Sequence, residues 1–356
     1  VTADLTHSLD ALAACSDLTL TAAFGPQHGL RGDKQDNMVE TEDFIDPALG
    51  IPVFSLYGEV RRPTARMMDS ADVFLFDLQD LGCRIYTFIT TLRYMLEAAA
   101  THGKAVWILD RPNPAGRPVE GLTLRSGWES FVGAGAMPMR HGLTMGELAT
   151  LYVRERGLDG APLTVVKCGN WERGMFFEDT GLPWFLLSPN MPTPDTAVVY
   201  PGACLVEGTN LSEGRGSTRP FEIMGAPWLP GRLLAEKLNA AQLPGVSFRP
   251  LTYRPTFQKH AGKDCGGVQF HVTDRRTFLP VRTGYAFLQI ARALSPGDFQ
   301  WRTEIYEYVT NPIAIDLHFR SAREELAIEQ GIPWQDACGV WEPEKRTFRQ
   351  RGEPAL

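Results

Sequence analysis

Three clusters of polar residues each follow an apolar run in the first third of the chain: Gly25-Pro26-Gln27-His28-Gly29, Asp77-Leu78-Gln79-Asp80 and Asp110-Arg111-Pro112-Asn113. A fourth, denser region runs from Ser188 to Glu222. It contains Ser188-Pro189-Asn190-Met191-Pro192-Thr193 and Glu207-Gly208-Thr209-Asn210-Leu211-Ser212-Glu213-Gly214-Arg215-Gly216. The groups on offer are carboxylates, imidazoles, guanidiniums and amides. One carboxyl group can protonate a leaving oxygen while another supports the anomeric centre, which is the chemistry of glycoside hydrolysis. Asn, Thr, Ser and Arg set between glycines supply donors and acceptors suited to sugar hydroxyls, on a backbone that can approach a ligand closely. Each Asp taken singly is equally well a turn or helix cap.

Other machinery is missing from the sequence. It has no P-loop, no HExxH, no CxxC and no GxSxG nucleophile elbow. Gly133-Ala134-Gly135-Ala136-Met137-Pro138 comes nearest to a dinucleotide fingerprint and lacks its last glycine. The six cysteines, at 15, 83, 168, 204, 265 and 338, are scattered and read as free thiols rather than a disulfide framework. No cofactor and no metal site is therefore expected. A net charge of −7 speaks against a broad nucleic-acid footprint. No apolar run reaches the roughly 18 residues of a membrane span. Leu12-Ala13-Ala14-Cys15 matches a lipoprotein-processing motif, but Asp4, His7 and Asp10 stand where a basic start and an apolar stretch belong, so the match is read as chance.

The polar clusters must be carried by regular elements. Apolar runs predict strands over 18–24, 52–56, 73–77, 105–110 and 163–166. Helical spacing over 86–101 places Ile89, Leu92, Leu96 and Ala99 on one stripe, with Gly103 as its cap, and a second helix is predicted over 144–156. This alternation, with strands apolar on both faces, predicts an α/β fold with a Rossmann-like, mostly parallel sheet. After Trp228 the texture changes: a helix over 233–241, an alternating strand over 267–272 and a helix over 285–294 predict a smaller α+β domain. The division is placed at 1–224 and 225–356. In open parallel sheets ligands bind beyond the carboxyl ends of the strands, so the polar clusters are expected to converge on one cleft.

Six motifs in order give these residues a family resemblance: Phe24 to Gly32, Val73 to Arg84, Leu109 to Pro114, Arg140-His141-Gly142-Leu143-Thr144, Ser188 to Thr193 and Glu207 to Gly216. Together they resemble the NamZ-like exo-β-N-acetylmuramidases, and the resemblance covers nearly the whole chain. It implies a Rossmann-like catalytic domain and a smaller C-terminal domain with the cleft near their junction. It also implies release of N-acetylmuramic acid from the non-reducing end of peptidoglycan fragments, and a further strand ahead of Val1. One departure stands out: many members carry Glu where this chain has Gln27, and Gln can serve as neither acid nor base. Asp36, Glu40 and Glu42 lie just downstream as carboxylates that could be recruited.

On this basis Glu207 or Glu213 is expected as general acid, its pKa raised by burial against Trp228 or similar apolar groups. Asp77 or Asp80 is expected as the second carboxylate, activating water or orienting the acetamido group. His28 and His141 are candidate donors or proton relays. Arg31, Arg84 and Arg215 are candidates to clamp the lactyl carboxylate, whose planar geometry a guanidinium matches. Gln27, Tyr86, Asn113, Asn190, Thr193 and Asn210 complete the expected sugar contacts. The expected partner is a small peptidoglycan-derived sugar, with oligomeric state and compartment left open. Two other readings remain: a non-catalytic muropeptide-binding protein, favoured by Gln27, and a peptidoglycan esterase or amidase, weakened by the missing nucleophile elbow.

Overall fold

The computed structural model describes residues 1–35 and 38–352. In its N-terminal part the strands Val73–Phe76, Ala105–Leu109 and Leu163–Val166 form a parallel sheet in that spatial order. The helices Phe88–His102 and Met145–Arg156 provide the crossovers. Gly103 takes up the left-handed conformation (φ 62°) that ends the first. Thr144 and Glu147 form a reciprocal capping box that starts the second. A second small sheet pairs Ala23–Gly25 with Pro52–Ser55 in parallel and adds Phe44–Ile45 antiparallel at its edge.

The strand expected from Leu18 forms only from Ala23. In the register that sets Ala23 beside Val53, Ala22 would lie opposite Pro52, which has no N–H to donate. Leu18 is left 48% exposed. The Ser188–Glu222 region, read as loop, holds the helix Pro194–Ala203. Its periodicity is masked by Pro194, Pro201 and Gly202. Pro194 costs nothing at the first helical position, and Thr193 caps the helix by accepting from the Thr196 N–H.

The C-terminal part is the expected α+β arrangement. Val246–Tyr253, Cys265–Val272 and Ile223–Ala226 form an antiparallel sheet in that order, covered by the helix Gly231–Ala240, with Pro280–Leu294 packed on that helix and touching the sheet where Phe287 meets Phe270. Four short helices, Ala314–Phe319, Ala322–Glu329, Trp334–Gly339 and Glu342–Gly352, complete the described chain. Residue 224 lies inside the strand Ile223–Ala226.

The two parts share one continuous core that runs from Phe54 to Phe348. Polar ties cross it. The buried Glu120 carboxylate, on the strand Glu120–Thr123, accepts from the Val281 and Arg282 N–H groups (3.1 and 2.8 Å) and so caps the helix Pro280–Leu294. Arg140 donates to the carbonyls of Ala115 and Phe278. That helix crosses Pro194–Ala203 at two glycines. A Cβ on Gly202 would lie 1.7 Å from the Pro280 carbonyl oxygen, and one on Gly284 would lie 2.2 Å from that of Gly202. Gly202→Ala is therefore expected to destabilise the fold by about 1–3 kcal/mol through forced separation of the helices. Denaturant unfolding checks this: a midpoint equal to that of the wild type would contradict the packing.

Candidate active site

A narrow polar pocket lies where the loops that follow the parallel strands meet the C-terminal part. Gln27 and His28 reach it from the turn after Ala23–Gly25. Tyr86 and Thr87 come from the lead-in to the helix Phe88–His102, and Ser188 and Asn190 from the loop before Pro194. Tyr200, Glu207, Arg215, Phe221, Tyr306 and Glu307 complete its main walls. Its volume, about 40 Å³, is room for a few waters. Glu307 also lines a second, open cleft of about 510 Å³, with Glu40, Gly58, Glu59, Arg61, Phe131 and Tyr308. That volume lies within the range of small-molecule sites.

Glu207 sits on the 3₁₀ turn Cys204–Gly208. Gly208 packs so closely on Ile315 that a Cβ there would lie 2.9 Å from the Ile315 Cα, which fixes the turn against the helix Ala314–Phe319. Arg215 donates to Glu207 Oε1 at 2.9 Å, and the Tyr306 hydroxyl donates to Oε2 at 2.8 Å. Arg215 also pairs with Glu213 (3.4 Å), which accepts from Lys259 Nζ at 3.0 Å. Lys259 donates further to the carbonyls of Val206 and Leu211, both at 3.1 Å. Burial pushes the Glu213 carboxyl up, but Lys259 and Arg215 outweigh it and hold the group below its ordinary value.

Glu307 is 4% exposed. Its Oε1 accepts from Gln27 Nε2 (3.1 Å) and its Oε2 from the Tyr57 hydroxyl (2.7 Å). Gln27 Nε2 also donates to the Tyr57 oxygen (3.1 Å), and Gln27 Oε1 accepts from Thr87 Oγ1 at 2.6 Å. Thr87 makes no side-chain cap bond to its own helix and spends its hydroxyl here. Burial raises the Glu307 pKa from its ordinary value, against the hydrogen bonds from Tyr57 and Gln27. Burial likewise raises the Tyr57 and Tyr306 hydroxyls, reinforced by Glu307 and Glu207 respectively, so both remain donors.

Of the residues expected at the site, Gln27, His28, Tyr86, Asn190, Glu207 and Arg215 line the narrow pocket. Tyr86 is buried, and its hydroxyl lies beside Ser188 without a well-formed hydrogen bond. Asn190 exchanges hydrogen bonds with Gln35, and His28 Nδ1 lies 2.9 Å from the Lys34 carbonyl. The others stand behind or away from it. Asp80 accepts from the Gly82 N–H and pairs with His141 Nε2 at 3.1 Å, while His141 Nδ1 accepts from the Leu143 N–H. Asp77 is paired with Arg111, and Asp110 caps the helix at Thr144 and Gly146. Arg84 donates to the carbonyls of Leu122, Met137 and His318, and Arg31 pairs with Asp10 at the surface. Asn113 donates to the Leu143 carbonyl, Asn210 bonds the 298–300 backbone, and Thr193 caps its helix. Of the downstream carboxylates, Glu40 pairs with Arg61, Glu42 is exposed, and Asp36 lies outside the described residues.

The residues not singled out from sequence are Tyr57, Thr87, Tyr200, Tyr306 and Glu307. Their one visible signal is Tyr306-Glu307-Tyr308, a carboxylate between two aromatics in an irregular stretch.

The fold and this pocket define a two-part α/β protein whose site offers two buried glutamates, the equipment of a carboxylate-dependent hydrolase. Residues 1–195 match the model of the N-terminal domain, and residues 198–356 that of the C-terminal domain, of exo-beta-N-acetylmuramidase NamZ. The peptidoglycan beta-N-acetylmuramidase NamZ of Bacillus subtilis (strain 168) is 48% identical over 302 residues, covering 85% of this chain and 72% of that protein. A solved DUF1343-family protein of Bacteroides fragilis superposes with a TM-score of 0.88 at 33% identity, over 100% of this chain and 91% of its own. A second one from the same strain gives 0.74 at 26% identity, over 99% and 89%. The chain belongs to the NamZ exo-β-N-acetylmuramidase family.

Removing Lys259 leaves Glu213 buried with one of its two cations gone, so Lys259→Met is expected to cost about 3 kcal/mol or more. Because the folded-state pKa of Glu213 is depressed, its ion pairs stabilise above the unfolded value of about 4.3, and the contribution is lost as pH falls through the folded value. The penalty should be full at neutral pH and shrink below about pH 4. Denaturant midpoints of both proteins at the two pH values check this, and a pH-independent penalty would contradict it.

Proposed function

We propose that this chain hydrolyses the β-glycosidic bond of a terminal N-acetylmuramic acid in peptidoglycan fragments, releasing the muramic unit. The observation that carries the reading is the pairing of Glu207 and Glu307 on one buried pocket, within a chain whose two parts match the two NamZ domains throughout. Glycoside hydrolysis asks for two carboxyl groups in unlike environments, one proton-bearing and one ionised. Glu207 is in an ion pair with Arg215, whereas among the described residues Glu307 has uncharged donors, Gln27 and Tyr57, as its hydrogen-bond partners.

Muramic acid differs from glucosamine by a lactyl carboxylate, which calls for a cation with room to bind it. Arg215 already faces Glu207 and Glu213, Arg84 is committed to backbone carbonyls, and Arg31 is remote. Arg61 lines the open cleft instead. Its guanidinium lies 4.5 Å from the Tyr57 ring centroid and 4.4 Å from that of Tyr308, and it pairs with the half-exposed Glu40. The two rings and the Gly58 carbonyl hold the guanidinium in place while leaving Glu40 as a displaceable partner. We assign Arg61 to the lactyl group.

The protein should release the chromophore from an aryl β-N-acetylmuramide and not from the matching β-N-acetylglucosaminide. Arg61→Met should raise KM for the muramide roughly tenfold, the worth of one charge-assisted hydrogen bond. Equal cleavage of both glycosides, or an unchanged KM in the variant, would contradict the assignment. Stoichiometric binding without release would favour a muropeptide-binding role.

A further inference from the structure

We infer that Glu307 is the general acid of the proposed glycosidase, and that Gln27 and Tyr57 position it. The inference rests on the glycosidase reading above and adds which atom supplies the proton. Two independent features lead to it.

The first is place. Among the lining residues, Glu307 alone is shared by the narrow pocket and the sugar-sized cleft. A glycan lying in the cleft with its end directed at the pocket carries its glycosidic oxygen past this carboxyl group. Glu207 lines only the pocket and is ion-paired with Arg215, which favours its ionised form. Glu213 lines neither cavity and is bound by Lys259 and Arg215.

The second is backbone geometry. Glu307 and Tyr308 are consecutive non-glycine residues in the left-handed region, with φ of 46° and 65°. That conformation is uncommon for residues with a Cβ and persists only where the surroundings enforce it, as at ligand sites. His28 and Phe221, on the same pocket, also have positive φ (73° and 63°). Here the enforcement is visible: Tyr57 and Gln27 bind the carboxyl group, and Arg61 packs against both the Tyr57 and Tyr308 rings, which meet edge to face. The strained turn aims one carboxyl group inward and one aromatic ring outward into the cleft.

In the reaction, the proton on Glu307 passes to the glycosidic oxygen as the bond between that oxygen and the anomeric carbon breaks. The leaving sugar departs with a free hydroxyl and Glu307 is left ionised. Water then supplies the hydroxyl of the released unit, and its second proton restores the carboxyl group. Tyr57 and Gln27 donate to both oxygens of the ionised form, so the group is held in place through the cycle.

A leaving-group comparison tests this with the full chain. Glu307→Gln should lower turnover of the disaccharide of N-acetylmuramic acid β-linked to N-acetylglucosamine by about 10²–10⁴-fold, but that of dinitrophenyl β-N-acetylmuramide, whose leaving group needs no proton, by no more than roughly tenfold. Thermal unfolding of the variant controls for folding. Equal losses on both substrates by a folded variant, or no loss on the disaccharide, would overturn the assignment and leave the glycosidase reading standing. Wild-type protein inert toward both would remove the glycosidase reading itself, and the acid with it. Gln27→Glu adds a like charge beside Glu307 and should shift the alkaline limb of the kcat profile upward. An unmoved limb would overturn the positioning role of Gln27.

Discussion

Everything at this site depends on burying a run of carboxylates without leaving their charges uncompensated. Glu207 and Glu213 are brought into the interior within eight residues of the chain, and the reversal at Gly214 and Gly216 (φ 78° and 79°) turns Arg215 back between them. A side chain at Gly216 would meet the Phe257 backbone at 2.7 Å, so the turn can pack only if that position is bare. Lys259 then enters from the C-terminal sheet region as the second cation. Two anions and two cations balance, and Lys259 donates further to two backbone carbonyls. Removing one member would strand another in a medium that solvates charge poorly.

Glu307 stands outside that balance. It is buried beside the cluster, with hydroxyl and amide partners and no cation within hydrogen-bond distance among the described residues. A carboxyl group in such surroundings keeps its proton to higher pH, whereas one inside the ionic cluster gives it up. The same fold thus sets two carboxyl groups in unlike surroundings on one pocket: Tyr306 bonds Glu207, and its chain neighbour Glu307 bonds Tyr57. The segment that carries both Tyr306 and Glu307 comes from the C-terminal part, while Gln27, Tyr57 and Thr87 come from the N-terminal part, two after strands and one at a helix start. The pocket exists only because the two parts share a core and are tied by Glu120 and Arg84.

The sheet and helices were legible because their signals are local. Val73 to Phe76 and Ala105 to Leu109 are apolar runs with polar ends, and Thr144 with Glu147 announces a helix start. Of the three strand-end clusters expected to converge on one cleft, the first reaches the pocket through Gln27 and His28, whereas Asp77 to Asp80 and Asp110 to Asn113 line neither cavity. The division of labour among similar residues was not legible. Asp77, Asp80 and Asp110 follow apolar strands as a catalytic Asp would, yet their partners are Arg111, His141 and a helix N-terminus, all set by tertiary packing. Arg84 and Asn113 sit in long motifs because they satisfy buried carbonyls, a demand invisible before the fold is known. Glu307 was hidden for a related reason. It lies in a stretch without periodicity, and its partners are separated from it by 280 and 250 residues.

The most direct test of the account is a crystal structure of the Glu307→Gln protein with the intact muramic acid–glucosamine disaccharide. The account predicts the glycan in the open cleft, its end turned toward the narrow pocket. The glycosidic oxygen should lie within hydrogen-bond reach of the amide that replaces the Glu307 carboxyl group, and the lactyl carboxylate should be on Arg61. A glycosidic oxygen facing Glu207 or Glu213 instead, with the side chain at position 307 turned away from the sugar, would contradict it.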